Sequence, residues 1–260
     1  MKEMEKKESS VRALDKAINI LEAMSRLDRD IDLASLARIM QMPKSTLLRL
    51  LTTMKTHNLI RQDESTKRFS LGLGLVALGR SAEKNFDLVD KVHPYLIELA
   101  EITGETASLM TLEGDHGIYA DQVLSKSMIR GQPRVGMRLD LYCSSAGKIL
   151  LSAMEDARID ALFRNRELVK MTAKTIDSFD KLKREVQKVR DQGYAVDDEE
   201  VEVGGRCIAA PLRGKNGEVL AAVSVMGPTT RIRQKDFARF AKMVREVVGK
   251  ASRSFGYRDE

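Results

Sequence analysis

The spacing of apolar residues changes near residue 106. Before it, they recur every three or four positions, the pattern of helices with one buried stripe. Val11, Leu14, Ile18 and Leu21, continued by Met24 or Ser25, form the first stripe. Ser10 is placed to cap that helix, and the Lys/Glu alternation of Met1 to Ser9 reads as a frayed tail. Leu33, Leu36, Ala37 and Met40 form a second stripe, with small Ala37 where another helix can cross closely. Leu47, Leu50, Leu51 and Met54 form a third, just after Pro43, which has no N–H to waste at a helix entrance. Leu75, Val76, Leu78 and Ala82 continue the period within Leu73 to Phe86, and Leu88 to Ile102 is a further amphipathic run.

Between these helices lies one hairpin. Ile60 to Asp63 and Arg68 to Leu71 alternate apolar and polar residues as strands do, and Glu64-Ser65-Thr66-Lys67 is turn chemistry. Asp30 to Leu33 is expected to add a short strand to it. From Thr106 the strand period takes over: Thr106 to Thr111, His116 to Val123, Ser127 to Gly131 and Leu139 to Tyr142 are predicted strands. Ser144-Ser145-Ala146-Gly147-Lys148 then leads into a helix over Ile149 to Met154. Asp156 to Arg164 and Phe179 to Gln192 are helical by spacing, the latter capped by Asp177 or Ser178 and stopped at Gly193. Tyr194 to Val196, Arg206 to Arg213 and Glu218 to Met226 read as strands, the last two joined by the Lys215-Asn216-Gly217 turn. Phe237 to Ser254 is a closing helix. Helices mixed with antiparallel hairpins in this way imply an α+β domain.

The helix after Pro43 turns a distinctive set outward: Lys44, Ser45, Thr46, Arg49 and Thr53. Helix N-terminal amides and hydroxyls hold phosphates. Arg grips a guanine edge with two hydrogen bonds. Helix-turn-helix proteins insert their second helix into the major groove by its N-terminal end. A helix pair alone is equally an ordinary helical hairpin with a solvated face; the basic hairpin that follows favours the DNA reader. Lys67 and Arg68 fall at its tip, suited to phosphate or minor-groove contact.

The charge supports this. Of a net +6, residues 1–80 carry 15 Lys+Arg against 10 Asp+Glu, while the remaining 180 residues carry 29 against 28. The anionic partner therefore belongs to the first third. Two cysteines, Cys143 and Cys207, form no disulfide framework or zinc motif, and the three histidines have no metal-ligand spacing. His57 is read as capping carbonyls rather than touching DNA. No apolar run approaches membrane-spanning length and no signal core begins the chain, so a soluble, cytoplasmic protein is expected.

Several separated pieces together resemble one family. They are Ala13 to Leu21, Pro43-Lys44-Ser45-Thr46 with Arg49-Leu50-Leu51, Arg68 to Gly72, Thr103 to Thr106, Ser145 to Lys148, Gly193 to Glu200, Arg206-Cys207 and Ser224-Val225. In order and spacing the chain resembles the IclR-type transcriptional regulators over almost its full length. The resemblance implies an α+β fold class: an N-terminal winged helix-turn-helix joined by a linker helix to a GAF-like α+β effector-binding domain. The expected division is 1–72 DNA-binding domain, 73–87 linker helix and 88–260 effector-binding domain. It implies double-stranded operator DNA and a small-molecule effector, an organic acid by preference, as partners. A homodimer or dimer of dimers is expected, with the linker helix a place for pairing. No enzyme activity, cofactor or metal is expected, and repression is the commoner sign of regulation.

Three departures stand out, and one is Tyr142, which replaces a commonly seen His and bears on the effector class, not the fold. Gln41 occupies a turn position where the family often has Gly, at a cost of about 1 kcal/mol if the backbone is left-handed there. Ala34 stands where a Ser or Thr cap is usual, so the helix either starts less firmly or borrows Asp32.

The effector site is expected at Ser144, Ser145, Ala146 and Gly147, where helix-start amides and small side chains suit a carboxylate; a plain serine cap with a packing glycine is the alternative. Gly147-Lys148 is not a phosphate loop, because Tyr142 and Ile149 break that motif. An acidic run such as Asp197 to Glu200 is usually a solvated loop, but the resemblance places Asp197, Cys207 and Ser224 near the effector. Leu141 and Met226, with Leu139, are candidate apolar walls or simple core. Cys207 reads as a small buried wall rather than a nucleophile, since no His lies beside it in sequence. A ligand-independent nucleic-acid binder and an enzyme using this pocket are the rival readings.

Overall fold

The structure, a computed structural model, describes residues 11–27, 29–83 and 87–258. The chain divides into two compact units, Met1–Phe86 and Asp87–Glu260. In the first, α1 (Arg12–Ser25), α2 (Leu33–Ile39) and α3 (Lys44–Thr56) precede a ribbon of β1 (Ile60–Gln62) and β2 (Phe69–Leu71), then α4 (Leu73–Glu83). The strands are antiparallel, with Ile60 opposite Leu71 and Gln62 opposite Phe69. Ile20 and Met24 from α1, Leu36 and Ala37 from α2, Leu47, Leu51 and Met54 from α3, and Ile60 and Phe69 from the ribbon make one core.

The first helix corrects the sequence reading. Val11, Leu14 and Ile18 are exposed, and Ile20 and Met24 are the residues that α1 buries. The helix carries two apolar arcs, and periodicity alone does not say which one meets the core. The expected Ser10 cap and the tail before it lie outside the described residues. The strand expected over Asp30 to Leu33 shrinks to one bridge, Ile31 with Phe69, closed by two backbone bonds of 2.9 and 2.8 Å.

Asp32 does cap α2: its Oδ1 accepts the amides of Ala34 and Ser35 at 3.0 and 2.9 Å. The turn after α2 is left-handed at Gln41, with φ 49°. There the Gln41 amide donates to the Arg38 carbonyl and the Met42 amide to the Ala37 carbonyl, at 3.3 and 3.1 Å. These two bonds form a Schellman stop, which reverses the chain and aims α3. At the other end of α3, Gly72 passes so close to the Asn58 carbonyl that a Cβ would overlap it. The ribbon is thereby held against the end of α3.

The second unit is built on a six-stranded antiparallel sheet of order β5-β4-β3-β8-β7-β6. Its strands are β3 (Thr106–Glu113), β4 (His116–Val123), β5 (Arg138–Asp140), β6 (Ala195–Asp198), β7 (Gly205–Arg213) and β8 (Val219–Pro228). Residues two apart share a face. Ala107, Leu109, Ile208, Ala210, Val223 and Val225 face α5 (Asp87–Thr103) and α9 (Phe237–Ser254). Met110, Tyr119, Ala195, Ala209 and Ala222 face α6 (Ser145–Ser152), α7 (Asp156–Phe163) and α8 (Phe179–Gln192). The layers are thus helix, sheet, helix.

Here too some expectations shift. Ser127 to Gly131 is not a strand, because its carbonyls are bonded to side chains instead of a ladder. Leu141 and Tyr142 belong to the turn after β5. Helix α6 starts at Ser145, four residues before the expected Ile149, since Ser144 caps it. Neither proposed cap serves α8: Ser178 makes no side-chain cap bond, and Asp177 is bonded to Lys170 and Lys181. Gly193 ends α8 in the left-handed region as expected, with φ 72°.

Gln41→Gly removes the left-handed penalty at the turn before α3. Urea unfolding is expected to show the first unit stabilised by about 1 kcal/mol.

Candidate functional site

In the first unit, α3 buries Leu47, Leu51 and Met54. That orientation leaves Lys44, Ser45, Arg49 and Thr53 exposed and Thr46 half-buried. Lys44, Ser45 and Thr46 are the first three helical residues, whose amides have no partner within the helix. The Thr53 hydroxyl is engaged by the Arg49 carbonyl at 3.1 Å, so it presents mainly its methyl group. Lys67 and Arg68 are exposed where the ribbon turns back. Lys67 is itself left-handed, with φ 58°. The turn is built on Asp63, whose Oδ1 accepts the Ser65 and Thr66 amides at 3.0 and 2.7 Å. Those bonds, led by the Ser65 hydroxyl, hold the Asp63 carboxyl well below the usual range. Among the described residues no carboxylate pairs with Lys44, Arg49, Lys67 or Arg68. Most cations of the second unit are spent on carboxylates; these four remain available to phosphates.

In the second unit, strand register assembles the other set. Asp197, Cys207, Met226 and Thr106 lie opposite one another in one row across β6, β7, β8 and β3. Two residues along, on the same face, Ser224 pairs with Ser108, hydroxyl to hydroxyl at 2.9 Å. The start of α6 lies over this face. Ser144 Oγ accepts the Gly147 amide at 3.0 Å. A Cβ at Gly147 would overlap the Leu141 carbonyl, so the glycine permits the close approach of helix and chain.

A cavity of about 260 Å³ opens at the end of the row. Asp197, Cys207 and Met226 line it, with Arg130, Gly131 and residues 201–206. The other candidates do not line it. Leu141 and Ala146 belong to the hydrophobic core, and Ser144, Ser145, Gly147 and Ser224 are buried. Ser145 and Ser224 flank the Cys207 thiol. Sulfur is a weak partner, and the Ser145 hydroxyl makes no full hydrogen bond.

The acidic run after β6 is not the solvated loop its composition suggests. Asp197 and Glu200 are 5% and 8% exposed. Asp197 Oδ1 accepts the Glu200 amide at 2.7 Å. Burial, reinforced by the Glu200 charge, pushes the Asp197 carboxyl up to about 7. Glu200 in turn takes Lys148, which is 1% exposed on α6. The Lys148 ammonium also donates to the Val196 carbonyl at 2.9 Å and lies 3.4 Å from Glu185. Sequence reasoning passed over Lys148, Glu200 and Tyr119, the last buried beside Asp197 and both cysteines. The available signal was a lysine among Ala146, Ile149, Leu150 and Leu151, where a charge needs a counter-charge.

Burial raises both thiols, Cys143 and Cys207, to about 12, which leaves them protonated at neutrality. His93 is bonded to Asp121 and His116 to Asp115, at 2.7 and 2.6 Å. His57 ends α3 through its backbone amide, bonded to the Lys55 carbonyl.

Asp197 binds its proton more tightly folded than at its ordinary 3.8. Between about 4 and about 7 the folded chain therefore holds more protons, and stability falls as pH rises through that window. Asp197→Asn should make this slope shallower in urea titrations repeated across pH, with the remainder due to Glu200, which burial also raises.

Comparison with known proteins gives matching assignments for both units. Residues 13–64 match the IclR helix-turn-helix domain, and residues 81–253 match the bacterial transcriptional regulator IclR C-terminal domain. The HTH-type transcriptional regulator KdgR of Escherichia coli is 33% identical over 257 residues, covering 99% of this chain and 97% of the relative. The transcriptional repressor IclR of the same organism is 31% identical, covering 95% and 90%. The crystal structure of the Thermotoga maritima IclR superposes with a TM-score of 0.80 at 29% identity, over 95% of this chain and 99% of that one. A helix-turn-helix with an open basic face, a helix-flanked sheet carrying a cavity, and similarity along nearly the whole length lead to one conclusion: the chain belongs to the IclR family of bacterial transcriptional regulators.

Proposed function

We propose that this regulator is a repressor that reads duplex operator DNA with α3 and steadies itself with the β1–β2 wing. It leaves the operator when a small organic acid enters the Asp197–Cys207–Met226 cavity. The observation that carries the DNA half is that Lys44, Arg49, Lys67 and Arg68, on one helix and its adjoining ribbon, are exposed and meet no carboxylate among the described residues. Arg49 on the exposed side of α3 is in position for a base edge, and Lys44, Ser45 and Thr46 for phosphate oxygens. Functionally, residues 1–72 read DNA, 73–87 link, and 88–260 sense the ligand. The protein works in the cytoplasm, where its operator is, and no described helix is long and apolar enough to cross a membrane.

The regulator acts as a homodimer or dimer of dimers. Val11 just before α1, Leu14 and Ile18 on α1, and Leu73, Val76 and Leu78 on α4 are all exposed. An aqueous monomer gains from covering such apolar stripes, and half-sites are typically read by symmetric pairs. The effector half is supported by the cavity itself and by the half-satisfied polar groups behind it, Ser145 Oγ and Glu200 Oε2. An enzyme reading has no comparable support, since the thiol in this cavity stays protonated.

Selecting bound genomic fragments yields the operator, and metabolites of the neighbouring genes are then tested for its release. Sequence-blind binding that no metabolite relieves would favour a ligand-independent nucleic-acid binder instead. On the selected operator, Arg49→Ala should cost about 1–3 kcal/mol and relax the preference at one base pair. Equal loss on random DNA would reduce Arg49 to a phosphate contact. Lys67→Ala should weaken operator and random DNA alike and lower the salt slope by about one ion.

A further inference from the structure

Two cations line the effector cavity, Arg130 and Arg206. Arg206 is spent. Its Nε donates to Asp198 at 2.6 Å, its Nη1 to the Ile232 carbonyl at 3.0 Å, and its guanidinium lies over the Phe237 ring. Arg130 is not. Its Nη1 donates to the carbonyls of Ser125 and Ser127 at 3.2 and 3.3 Å, and no carboxylate among the described residues pairs with it. A guanidinium has five N–H donors in a planar fork, so Nη2 and Nε remain open.

The short segment carrying Arg130 is fixed on both sides. Arg231 donates to the Ile129 carbonyl at 2.8 Å and is itself clamped by both oxygens of buried Glu105, at 2.6 and 2.7 Å. The Thr106 hydroxyl donates to the Gly131 carbonyl at 2.7 Å. Gly131 sits where a side chain would collide with Met226, another lining residue. An exposed arginine held by a pinned backbone is a prepared anion contact; one on a free loop is a solvated charge.

The same cavity also contains an acid. Asp197 is faced by Tyr119 of β4, Cys143 ahead of α6, Lys148 of α6, Glu200 of the β6–β7 turn and Cys207 of β7. The phenol and both thiols are neutral near pH 7, since burial raises all three. The Lys148 ammonium is taken by Glu200, with Glu185 beside it, and Glu202 is exposed at the rim. Burial and the Glu200 charge together hold the Asp197 carboxyl at about 7, so both its forms are populated near neutrality. A carboxylate ligand entering here adds negative charge beside the buried Asp197 carboxyl. The acid form of Asp197 removes that repulsion and supplies a donor.

We propose that Arg130 pairs the effector's carboxylate at the cavity rim while Asp197 takes up one proton from solvent, so the site selects small singly charged acids over their neutral amides. This rests on the effector reading and sharpens it. No bond is made or broken beyond the proton moved from water to Asp197.

The test uses the full chain and a set of small monocarboxylates, each with its primary amide, alongside neutral sugars and polyols. Binding is screened by thermal shift about one pH unit either side of neutrality, and hits are titrated calorimetrically in two buffers of different ionisation enthalpy. Acids are expected to bind with uptake of a fraction of a proton near neutrality, rising towards one above it, and to weaken there by up to about tenfold per pH unit. Arg130→Gln should weaken acids and leave any amide unchanged, while Asp197→Asn should abolish the pH dependence. Acids bound equally at both pH values, amides bound as tightly as acids, or acids indifferent to Arg130→Gln would overturn the proposal. Binding of sugars or polyols alone would overturn it, and the organic-acid effector with it, while keeping the cavity as a ligand site. No stabilisation by any compound would defeat the effector reading itself, and the proposal with it.

Discussion

The second unit is organised around one buried ammonium. Lys148 sits on the inner side of α6, where its neighbours in the helix are core residues, and its charge is neutralised by Glu200 from the β6–β7 turn. Removing one partner of a buried pair costs about 3–5 kcal/mol, far more than the pair itself contributes over an apolar substitute. The interaction is therefore better understood as a registry device than as a source of stability. It holds α6 to the end of β6 through the Val196 carbonyl, and draws the acidic turn inward. Once Glu200 is inside, its amide bonds Asp197 and its charge opposes the ionisation of Asp197. The cavity's acid thus owes its place and its chemistry to a lysine that does not line the cavity.

A different logic governs the DNA unit, where placement of the backbone matters more than buried charge. Asp32 starts α2, a Schellman turn at Gln41 stops it, and Pro43 begins α3. Three short-range devices in a dozen residues set the direction of the reading helix. The small core then decides which side of α3 faces water, and the exposed cations follow from that choice. For a ligand to control this unit it must bind two arrangements of the protein with different affinity.

Much of this was legible beforehand where the cause is local. Gln41 was expected to be strained if left-handed, and it is left-handed. Of the two outcomes open at Ala34, a weaker helix start or a cap borrowed from Asp32, the second holds. The helix Phe237–Ser254 and the stop at Gly193 were legible for the same reason: periodicity and turn chemistry act within a few residues. What was misread depends on partners distant in the chain. Val11, Leu14 and Ile18 are a good helical stripe that faces water. Ser127 to Gly131 has strand composition but gives its carbonyls to Thr106, Arg130 and Arg231.

By itself, then, the order of residues determined most of the helices and strands, the turns at Gln41 and Gly193, and the concentration of positive charge in the first 80 residues. Those follow from local geometry and from simple addition of charge. Tertiary structure alone decided which acids are buried and which cations remain free. Asp197, Asp198, Glu199 and Glu200 are four consecutive carboxylates of similar intrinsic chemistry. Lys148 claims Glu200, Arg206 claims Asp198, Lys174 claims Glu199, and Asp197 is left facing the cavity beside a charge it cannot pair with. Electrostatic energy depends on separation and on the water excluded between groups, and neither exists until the sheet and its helices have closed.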